Sequence, residues 1–137
     1  MHLSKKRKKI AYKKKIKAAR LYATALGIYE LTLNGEKVGD TYFAPGFTSY
    51  KHQLQYQTYD ITRQLSDGEN ELCAIVAGGW AVGSFTYKRV NRYYADRQAF
   101  LVTRTSRTRE NLKNWQRWLL SVFFGGMLIG FRVNSTA

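Results

Sequence analysis

The stretch IYELTLNGEKVG, residues 28–39, decides the fold class of this chain. From Ile28 to Leu33 the side chains alternate, with Tyr, Leu and Leu on one side and Ile, Glu and Thr on the other. This alternation is typical of a half-buried strand. Asn34-Gly35 follows, and these two residues tolerate the positive φ angles that a type I′ turn needs at both central positions. The stretch therefore predicts a tight antiparallel hairpin whose return strand begins at Glu36.

Other strand patterns lie on both sides of this hairpin. They are interrupted or separated by Gly27, by the loop dipeptide Pro45-Gly46 and by the turn cluster at 67–70. Strands at spacings of roughly ten residues, with turn signals between them, predict an all-β sandwich or barrel. The predicted strands are Arg20–Leu26, Leu54–Ile61, the apolar Glu71–Ala77, which we expect to be buried on both faces, and Ala99–Thr103.

The formal net charge of +14 belongs mainly to one end of the chain. Residues 1–20 hold ten Lys/Arg and no acid, whereas the rest holds 13 Lys/Arg against nine Asp/Glu, a net of only +4. A terminal block of like charge is usually disordered or solvated. We therefore expect residues 1–12 to be a basic extension. No apolar run of a secretory signal follows the lysines, so a cytoplasmic location is expected.

The C-terminal segment has a different composition. Residues 118–131 carry no charge, but these 14 residues are fewer than the roughly 20 that a membrane-spanning helix needs. Three interpretations stay open: a core element of the domain, a membrane-associating segment flanked by Arg117 and Arg132, and a tail that is not native to the domain.

Residue patterns for catalysis, cofactors or metals are weak in this sequence. His2 and His52 are far apart and lack a nearby cysteine partner, so we predict no metal site and no cofactor. Asp60 and Asp96 are expected to cap or to form ion pairs, because nothing indicates a carboxylate pair held across a glycosidic bond. Asp60 or Thr62 could be the N-cap of a short helical turn. The single cysteine, Cys73, is expected to be a buried and inert thiol.

The aromatic residues are the best candidates for binding. Trp80, in Gly79-Trp80 at the end of an apolar strand, could offer a sugar ring an apolar face and one N–H donor. Packing beneath a loop is the alternative that we favour for it. Tyr93 and Tyr94 carry the same two interpretations.

These residues resemble the N-terminal domain of bacterial α-L-rhamnosidases. The resemblance covers about residues 13–105 and rests on an ordered series rather than on any one motif. The series is ARLYATALGIYE (19–30), LNGEKVG (33–39), APGFTSY (44–50), QYQTYDIT (55–62), DGENEL (67–72) and GWAVG (79–83).

The resemblance implies a jelly-roll-like antiparallel β-sandwich, related in style to galactose-binding modules, over residues 13–110. It implies a non-catalytic accessory domain that assists recognition of a rhamnose-containing carbohydrate. In that family the hydrolytic carboxylates lie in a helical barrel far downstream, so no catalytic residue can be carried over. The missing catalytic domain is the expected partner. Residues 111–137 depart from the family pattern, which is why a truncated or frameshifted tail is our preferred hypothesis there.

Two other functions remain as alternatives. The sugar-binding sandwich of β-galactosidase-like hydrolases shares the hairpin and the turn motifs, although residues 45–50 and Gly79-Trp80 favour the rhamnosidase version. A basic nucleic-acid-binding protein acting through residues 4–20 belongs to a different class, and its binding would weaken steeply with salt. No aromatic stacking residues are interleaved with this basic segment, so we do not expect nucleic acid as a partner. We do not expect a membrane as a partner either.

Overall fold

The computed structural model describes residues 3–12, 15–85, 87–108, 116–124 and 127–129. Eleven strands dominate this part of the chain. They are β1 Leu3–Tyr12, β2 Ile16–Leu26, β3 Ile28–Leu33, β4 Glu36–Lys37, β5 Gln57–Asp60, β6 Gly68–Ala77, β7 Ser84–Phe85, β8 Val90–Asn91, β9 Ala99–Thr108, β10 Gln116–Phe124 and β11 Met127–Ile129. A 3₁₀ turn spans Thr62–Gln64, and the short helix α1 spans Gly79–Val82.

The strands form two larger sheets and one small hairpin. The four-stranded sheet has the order β1-β6-β3-β4, and the five-stranded sheet has the order β11-β10-β9-β2-β5. The pairings are antiparallel, including the β7-β8 hairpin. The predicted all-β antiparallel sandwich is therefore confirmed.

The core lies between the facing sides of the two larger sheets. Alternate residues of β2 and β9 face alternate residues of β3 and β6, as the period-2 geometry of strands requires. The β3 side that carries Tyr29, Leu31 and Leu33 is buried, as its alternation predicts. The main buried residues are Leu21, Ala23, Ala25, Tyr29, Leu31, Leu33, Leu72, Ala74, Val76, Phe100 and Val102.

Gly27 is the corner at which the chain passes from one sheet to the other. It separates β2 in the five-stranded sheet from β3 in the four-stranded sheet. Its φ is +131°, and a Cβ atom built there would overlap the carbonyl oxygen of Ala77. Only glycine fits this backbone angle and this close approach. The interruption seen in the sequence is therefore a sheet-to-sheet crossing.

Tyr29 links the two sheets through its hydroxyl group as well as its ring. The hydroxyl lies 3.2 Å from the carbonyl oxygen of Ala23, 3.2 Å from Oε1 of Gln57 and 3.1 Å from the hydroxyl of Tyr59. Its ring packs against Phe100 at a centroid distance of 5.2 Å. Burial, and then the hydrogen bond with Tyr59, raise the pKa of Tyr29. Tyr29 therefore stays neutral and serves as a polar cross-link inside the sandwich.

The Asn34-Gly35 turn has positive φ at both residues, +53° and +84°, as a type I′ hairpin needs. The Asn34 side chain also contacts the first residues of β6 and the turn that precedes it. Its Nδ2 donates to the Gln64 carbonyl at 2.9 Å and to Oδ1 of Asn70 at 2.8 Å. Its Oδ1 accepts from the Glu71 amide at 2.9 Å. The turn residue thus ties two connections together as well as reversing the chain.

Asn70 completes this arrangement from the other side. It is only 1% exposed. Its Oδ1 accepts from the Ser66 amide at 2.8 Å, and its Nδ2 donates to the carbonyls of Ser66 at 2.9 Å and Gly68 at 3.2 Å. The amide therefore has both its donor and its acceptor groups paired, as buried polar groups require. We call Asn34, Gln64, Ser66 and Asn70 the polar corner.

The basic N-terminal segment differs from our expectation. Leu3–Tyr12 forms β1 and pairs with β6 over ten residues, from Leu3 opposite Ala77 to Tyr12 opposite Gly68. Ladder hydrogen bonds use backbone groups, so a lysine-rich strand can complete a sheet while its charges remain in water. Ile10 is buried, whereas Lys5 and Lys9 are exposed. The described basic side chains of the segment are solvated, as expected, but its backbone is part of a sheet.

Several strand boundaries also needed correction. β2, β6 and β9 extend beyond the predicted segments by a few residues that include charged or turn-forming types, such as Lys17, Gly68 and Arg104. Backbone pairing across the sheet overrides these local preferences. As expected, residues 71–77 of β6 are all buried or half-buried. The predicted strand Leu54–Ile61 was too long, because β5 covers only Gln57–Asp60.

The residues that precede Gln57 no longer pair with β2 through backbone hydrogen bonds. The hydroxyl of Thr24 on β2 donates to the carbonyl of Gln55, which takes the place of an interstrand backbone bond. After β5, the short helical turn forms as predicted, but its N-cap is Ile61, so the prediction of Asp60 or Thr62 at this position was wrong. Asp60 lies one residue before the N-cap, where its Oδ1 accepts from the amide of Thr62 at 3.0 Å in an Asx-type turn.

The C-terminal segment forms strands where the structure describes it. Its residues 116–124 are β10, which pairs with β9 in the five-stranded sheet, and 127–129 are β11. Residues 109–115 and 130–137 lie outside the described residues. In the part of the chain that the structure describes, no helix is long and apolar enough to cross a membrane. The hypothesis of a non-native tail over 111–137 stays a prediction, as does the division at residues 12 and 110.

Candidate functional site

Five aromatic side chains from three separate segments meet on one surface of the domain. Trp80 lies on α1, directly after β6. Phe47 and Tyr50 lie in the connection between β4 and β5, and Tyr93 and Tyr94 follow β8. We call these five residues the aromatic cluster.

Backbone hydrogen bonds hold two of these segments together. The amide of Arg92 donates to the Val82 carbonyl at 3.2 Å, and the amide of Ala95 donates to the Ala81 carbonyl at 3.0 Å. Ala81 is fully buried and anchors α1 to the domain. The two tyrosines between residues 92 and 95 are therefore placed beside the helix that carries Trp80.

The third segment is shaped by its own hydrogen bonds. The amide of Gly46 donates to the Phe43 carbonyl at 2.9 Å, with φ of +56° at Phe43 and +91° at Gly46. Thr48 is buried, and its hydroxyl donates to the Gln53 carbonyl at 2.9 Å. These bonds close a compact loop from which Phe47 and Tyr50 project. Pro45 and Gly46, predicted as turn residues, thus begin the loop that presents the cluster.

Phe47 is the central ring of the aromatic cluster. Its centroid lies 5.9 Å from Tyr50, 6.3 Å from Trp80 and 6.2 Å from Tyr94. Tyr94 also packs at 5.1 Å from Tyr50 and 4.7 Å from Tyr93. Interplanar angles from 46° to 89° make these contacts tilted or edge-to-face, the arrangement that aromatic quadrupoles prefer.

The cluster is open to solvent on one side. Phe47 is 50% exposed and Tyr93 is 55% exposed. Trp80, Tyr50 and Tyr94 are half-buried. The ammonium group of Lys51 lies 5.5 Å from the Tyr93 ring centroid, within the range of a cation–π contact. The surface thus combines apolar ring faces, hydroxyl groups and one N–H donor, together with a cation.

Burial, and then the proximity of Tyr94, raise the pKa of Tyr50. Its hydroxyl therefore stays protonated at neutral pH and can both donate and accept a hydrogen bond. The Tyr50 hydroxyl lies 3.5 Å from the Gly46 carbonyl, at the long limit of a hydrogen bond. Such a group can exchange a weak internal contact for a ligand.

The structure brings the three predicted binding residues together. Tyr93 and Tyr94 touch directly, and Trp80 joins them through Phe47. Our sequence reasoning missed Phe47 and Tyr50 as binding candidates. Both lie in residues 44–50, one of the stretches that carry the family resemblance, and that was the available signal. Trp80 packs against Phe47 and is also partly exposed, so it combines features of both interpretations.

The remaining residues that the sequence analysis singled out lie outside the aromatic cluster. Cys73 is buried, as expected. Hydrogen bonds from the hydroxyl and the amide of Thr62 lower the pKa of Asp60, which stabilises the carboxylate in this Asx-type turn rather than at an N-cap. Among the described residues, no three His, Cys, Asp or Glu side chains lie together as metal ligands would.

Comparison with protein-family models assigns this domain to a family. The model of the α-L-rhamnosidase N-terminal domain matches residues 14–116. The chain therefore belongs to this family. The predicted resemblance is confirmed, and the match favours the rhamnosidase over the β-galactosidase-like alternative.

Individual α-L-rhamnosidases agree with this assignment. The enzyme of Streptomyces avermitilis is 55% identical over 71 residues, which is 52% of this chain. Its crystal structure in complex with L-rhamnose superposes with a TM-score of 0.76, at 37% identity and over 87% of this chain. The native enzyme of Aspergillus terreus also gives a TM-score of 0.76, at 33% identity over 81% of this chain.

This rhamnosidase N-terminal domain corresponds to a small part of those enzymes. It spans 7–9% of the length of curated α-L-rhamnosidases and 12–13% of the two solved chains. It is thus an accessory domain of a glycoside hydrolase. Strand β1 precedes the matched residues, and β10 begins at the last of them.

Proposed function

We propose that this domain assists an α-L-rhamnosidase in recognising its rhamnose-containing carbohydrate, with the aromatic cluster as the contact surface. The observation that carries the proposal is the meeting of five aromatic rings from three segments, with Phe47 and Tyr93 half exposed. A sugar ring has apolar C–H faces that stack on aromatic rings and hydroxyls that pair with polar groups. Tyrosine and tryptophan offer both kinds of contact in one side chain.

The chemistry of bond cleavage would come from the catalytic domain of the parent enzyme, which is the proposed partner. The solved Streptomyces relative is in complex with L-rhamnose, which supports a rhamnose-related ligand for the proposal. A cytoplasmic location also stays a proposal.

The proposal is tested by titrating the folded chain with L-rhamnose and following the backbone amide and Trp indole signals by NMR. Tyr93→Ala removes an exposed ring of the cluster and should weaken binding about threefold to tenfold, the equivalent of roughly 1 kcal/mol. Tyr87→Ala is the matched control, since Tyr87 is a fully exposed tyrosine of the neighbouring turn. Equal affinities of these two variants would contradict the role of the cluster.

Trp80→Ala separates binding from packing. A binding role predicts weaker L-rhamnose affinity at a temperature where the variant is still folded. If the variant only melts earlier while the affinity of its folded fraction is unchanged, Trp80 serves packing alone.

A further inference from the structure

A groove on the outer face of the five-stranded sheet is distinct from the aromatic cluster. It lies over β2 and β9 and beside the segment that leads into β5. Its volume is about 610 Å³. Small-molecule sites typically measure about 300–1,000 Å³, so the groove has the size of a ligand site.

Two tyrosines and two leucines form the apolar walls of this groove. The rings of Tyr22 and Tyr56 lie 6.3 Å apart with an angle of 56° between their planes. Tyr56 is 65% exposed, and Leu54 and Leu101 are each 37% exposed. An outward-facing side of a sheet normally carries polar residues. Exposed apolar side chains grouped here indicate a surface that contacts something other than water.

Threonine hydroxyls lie among these apolar groups. On neighbouring strands Thr24 is opposite Leu101, and Tyr22 is opposite Thr103. Thr24, Thr103 and Thr105 line the groove, and each is at least nine-tenths buried. The Oγ1 atom of Thr105 is buried and has no hydrogen-bond partner among the described residues. A buried hydroxyl is normally paired, so Thr105 lacks a partner that a bound hydroxyl would supply.

The groove is also uncharged. None of the described residues that line it is an Asp, Glu, Lys, Arg or His. In a chain with a formal net charge of +14, a site for a phosphorylated or acidic ligand would be expected to contain a cation. The ligand chemistry that fits is therefore neutral, with an apolar side and several hydroxyls.

We propose that this groove is a second carbohydrate site, which takes a neutral deoxy sugar ring. The ring face would stack on Tyr22 or Tyr56, a methyl substituent would contact Leu54 or Leu101, and a ring hydroxyl would pair with Thr105. This inference rests on the proposed function, since it assigns a further sugar-binding surface to the same accessory domain.

The ligand test uses two sugars that differ by one hydroxyl group. L-rhamnose carries a methyl group at C5 where L-mannose carries a hydroxymethyl group. In NMR titrations of the full chain, L-rhamnose should shift amide signals of β2 and β9 around Tyr22, Thr24 and Thr103. L-mannose should bind this groove several-fold more weakly, because its extra hydroxyl meets an apolar wall. Equal affinity for both sugars would overturn the deoxy-sugar assignment.

The variant test separates the groove from the cluster. Tyr56→Ala should weaken L-rhamnose binding at the groove about threefold to tenfold. The control is Tyr42→Ala, since Tyr42 is 74% exposed and contacts Lys37 on the other sheet. If Tyr93→Ala abolishes all binding while Tyr56→Ala changes nothing, the groove proposal fails and the cluster stands. If Tyr56→Ala abolishes all binding while Tyr93→Ala changes nothing, the proposal for the cluster fails and that for the groove stands.

Thr105→Val provides a readout that a purely structural role would not give. Replacing a hydroxyl that lacks a partner with a methyl group of the same shape should leave the melting temperature unchanged or higher. L-rhamnose affinity at the groove should nevertheless fall about threefold to tenfold. A variant with unchanged affinity would overturn the assigned contact. Absence of any L-rhamnose shift at millimolar concentrations in the folded chain would overturn both the groove and the cluster.

Discussion

The polar corner and the aromatic cluster both join distant parts of the chain, but they do so with opposite chemistry. In the polar corner, Asn70 is 1% exposed and its amide has its donors and its acceptor paired with protein. In the aromatic cluster, Phe47 and Tyr93 keep about half of their surface in water. A fully paired and buried group has no capacity left for a ligand. The polar corner is therefore suited to stabilising the fold, whereas the aromatic cluster keeps the exposed surface that the proposed recognition requires.

The largest expected effect is on the polar corner. Asn70→Leu should lower the free energy of unfolding by about 3 kcal/mol, because the buried Asn70 amide loses its four hydrogen bonds with Asn34, Ser66 and Gly68. Urea denaturation measures the change. Gln53→Ala, which changes an exposed amide side chain, serves as the control and should be nearly neutral. A loss below about 1 kcal/mol for Asn70→Leu would remove the distinction between the two regions.

Gly35→Val should have the next largest effect. Gly35 has φ of +84°, and nothing lies within 4 Å of a Cβ placed there. The cost is therefore conformational rather than steric, at about 1–3 kcal/mol for a β-branched residue. Gly35→Asn is the matched control, since Asn tolerates positive φ, and it should retain most of the stability. Equal melting temperatures for the two variants would contradict this explanation of the turn.

In the aromatic cluster, we expect a substitution to affect ligand binding more than stability. Tyr93→Ala should cost less than about 1 kcal/mol of unfolding free energy, since the ring is 55% exposed and packs edge-on against Tyr94. The same variant should weaken L-rhamnose binding, as stated above. If urea denaturation shows that Tyr93→Ala loses more unfolding free energy than Asn70→Leu does, the cluster serves mainly to stabilise the fold.

The smallest expected effect concerns acid stability at Asp60. Hydrogen bonds from Thr62 lower the pKa of this carboxyl group below its ordinary value in the folded state. Its contribution to stability is therefore present above a pH of about 4 and is lost as the pH falls through the folded pKa. The carboxylate is exposed, so the effect is small. As the pH falls below about 4, the melting temperature of Asp60→Asn should decrease less steeply than that of the unmodified chain. Parallel plots of melting temperature against pH for the two chains would contradict this prediction.

Some of the fold was predictable because it depends on neighbours along the chain. The alternation of residues 28–33 predicts β3, and the φ preferences of Asn34 and Gly35 predict its turn. The apolar run that ends at Ala77 predicts the central part of β6. Strand ends were less predictable, since charged residues such as Lys17 and Arg104 enter β2 and β9 only because the two strands pair.

Two of the five residues of the aromatic cluster, Phe47 and Tyr50, were equally hard to find from the sequence. Trp80, Tyr93 and Tyr94 stand out because aromatic residues follow a buried strand or occur as a pair. Phe47 joins them only because backbone bonds from Arg92 and Ala95 to α1 hold residues 92–95 beside the helix, and the loop closed by Thr48 faces both. The ring contacts of Phe47 with Trp80 and Tyr94 join residues that are more than 30 positions apart, and no local pattern encodes them.

By itself, the sequence determined the all-β class, the hairpin at Asn34-Gly35 and, through an ordered series of motifs, the α-L-rhamnosidase family. These properties follow from short-range periodicity and turn geometry. Only the tertiary structure decided that the lysine-rich segment 3–12 pairs with β6, and that Tyr22 and Tyr56 face the same groove. Both depend on which strands share a sheet, because backbone pairing is indifferent to charge and each register sets the neighbours of a side chain.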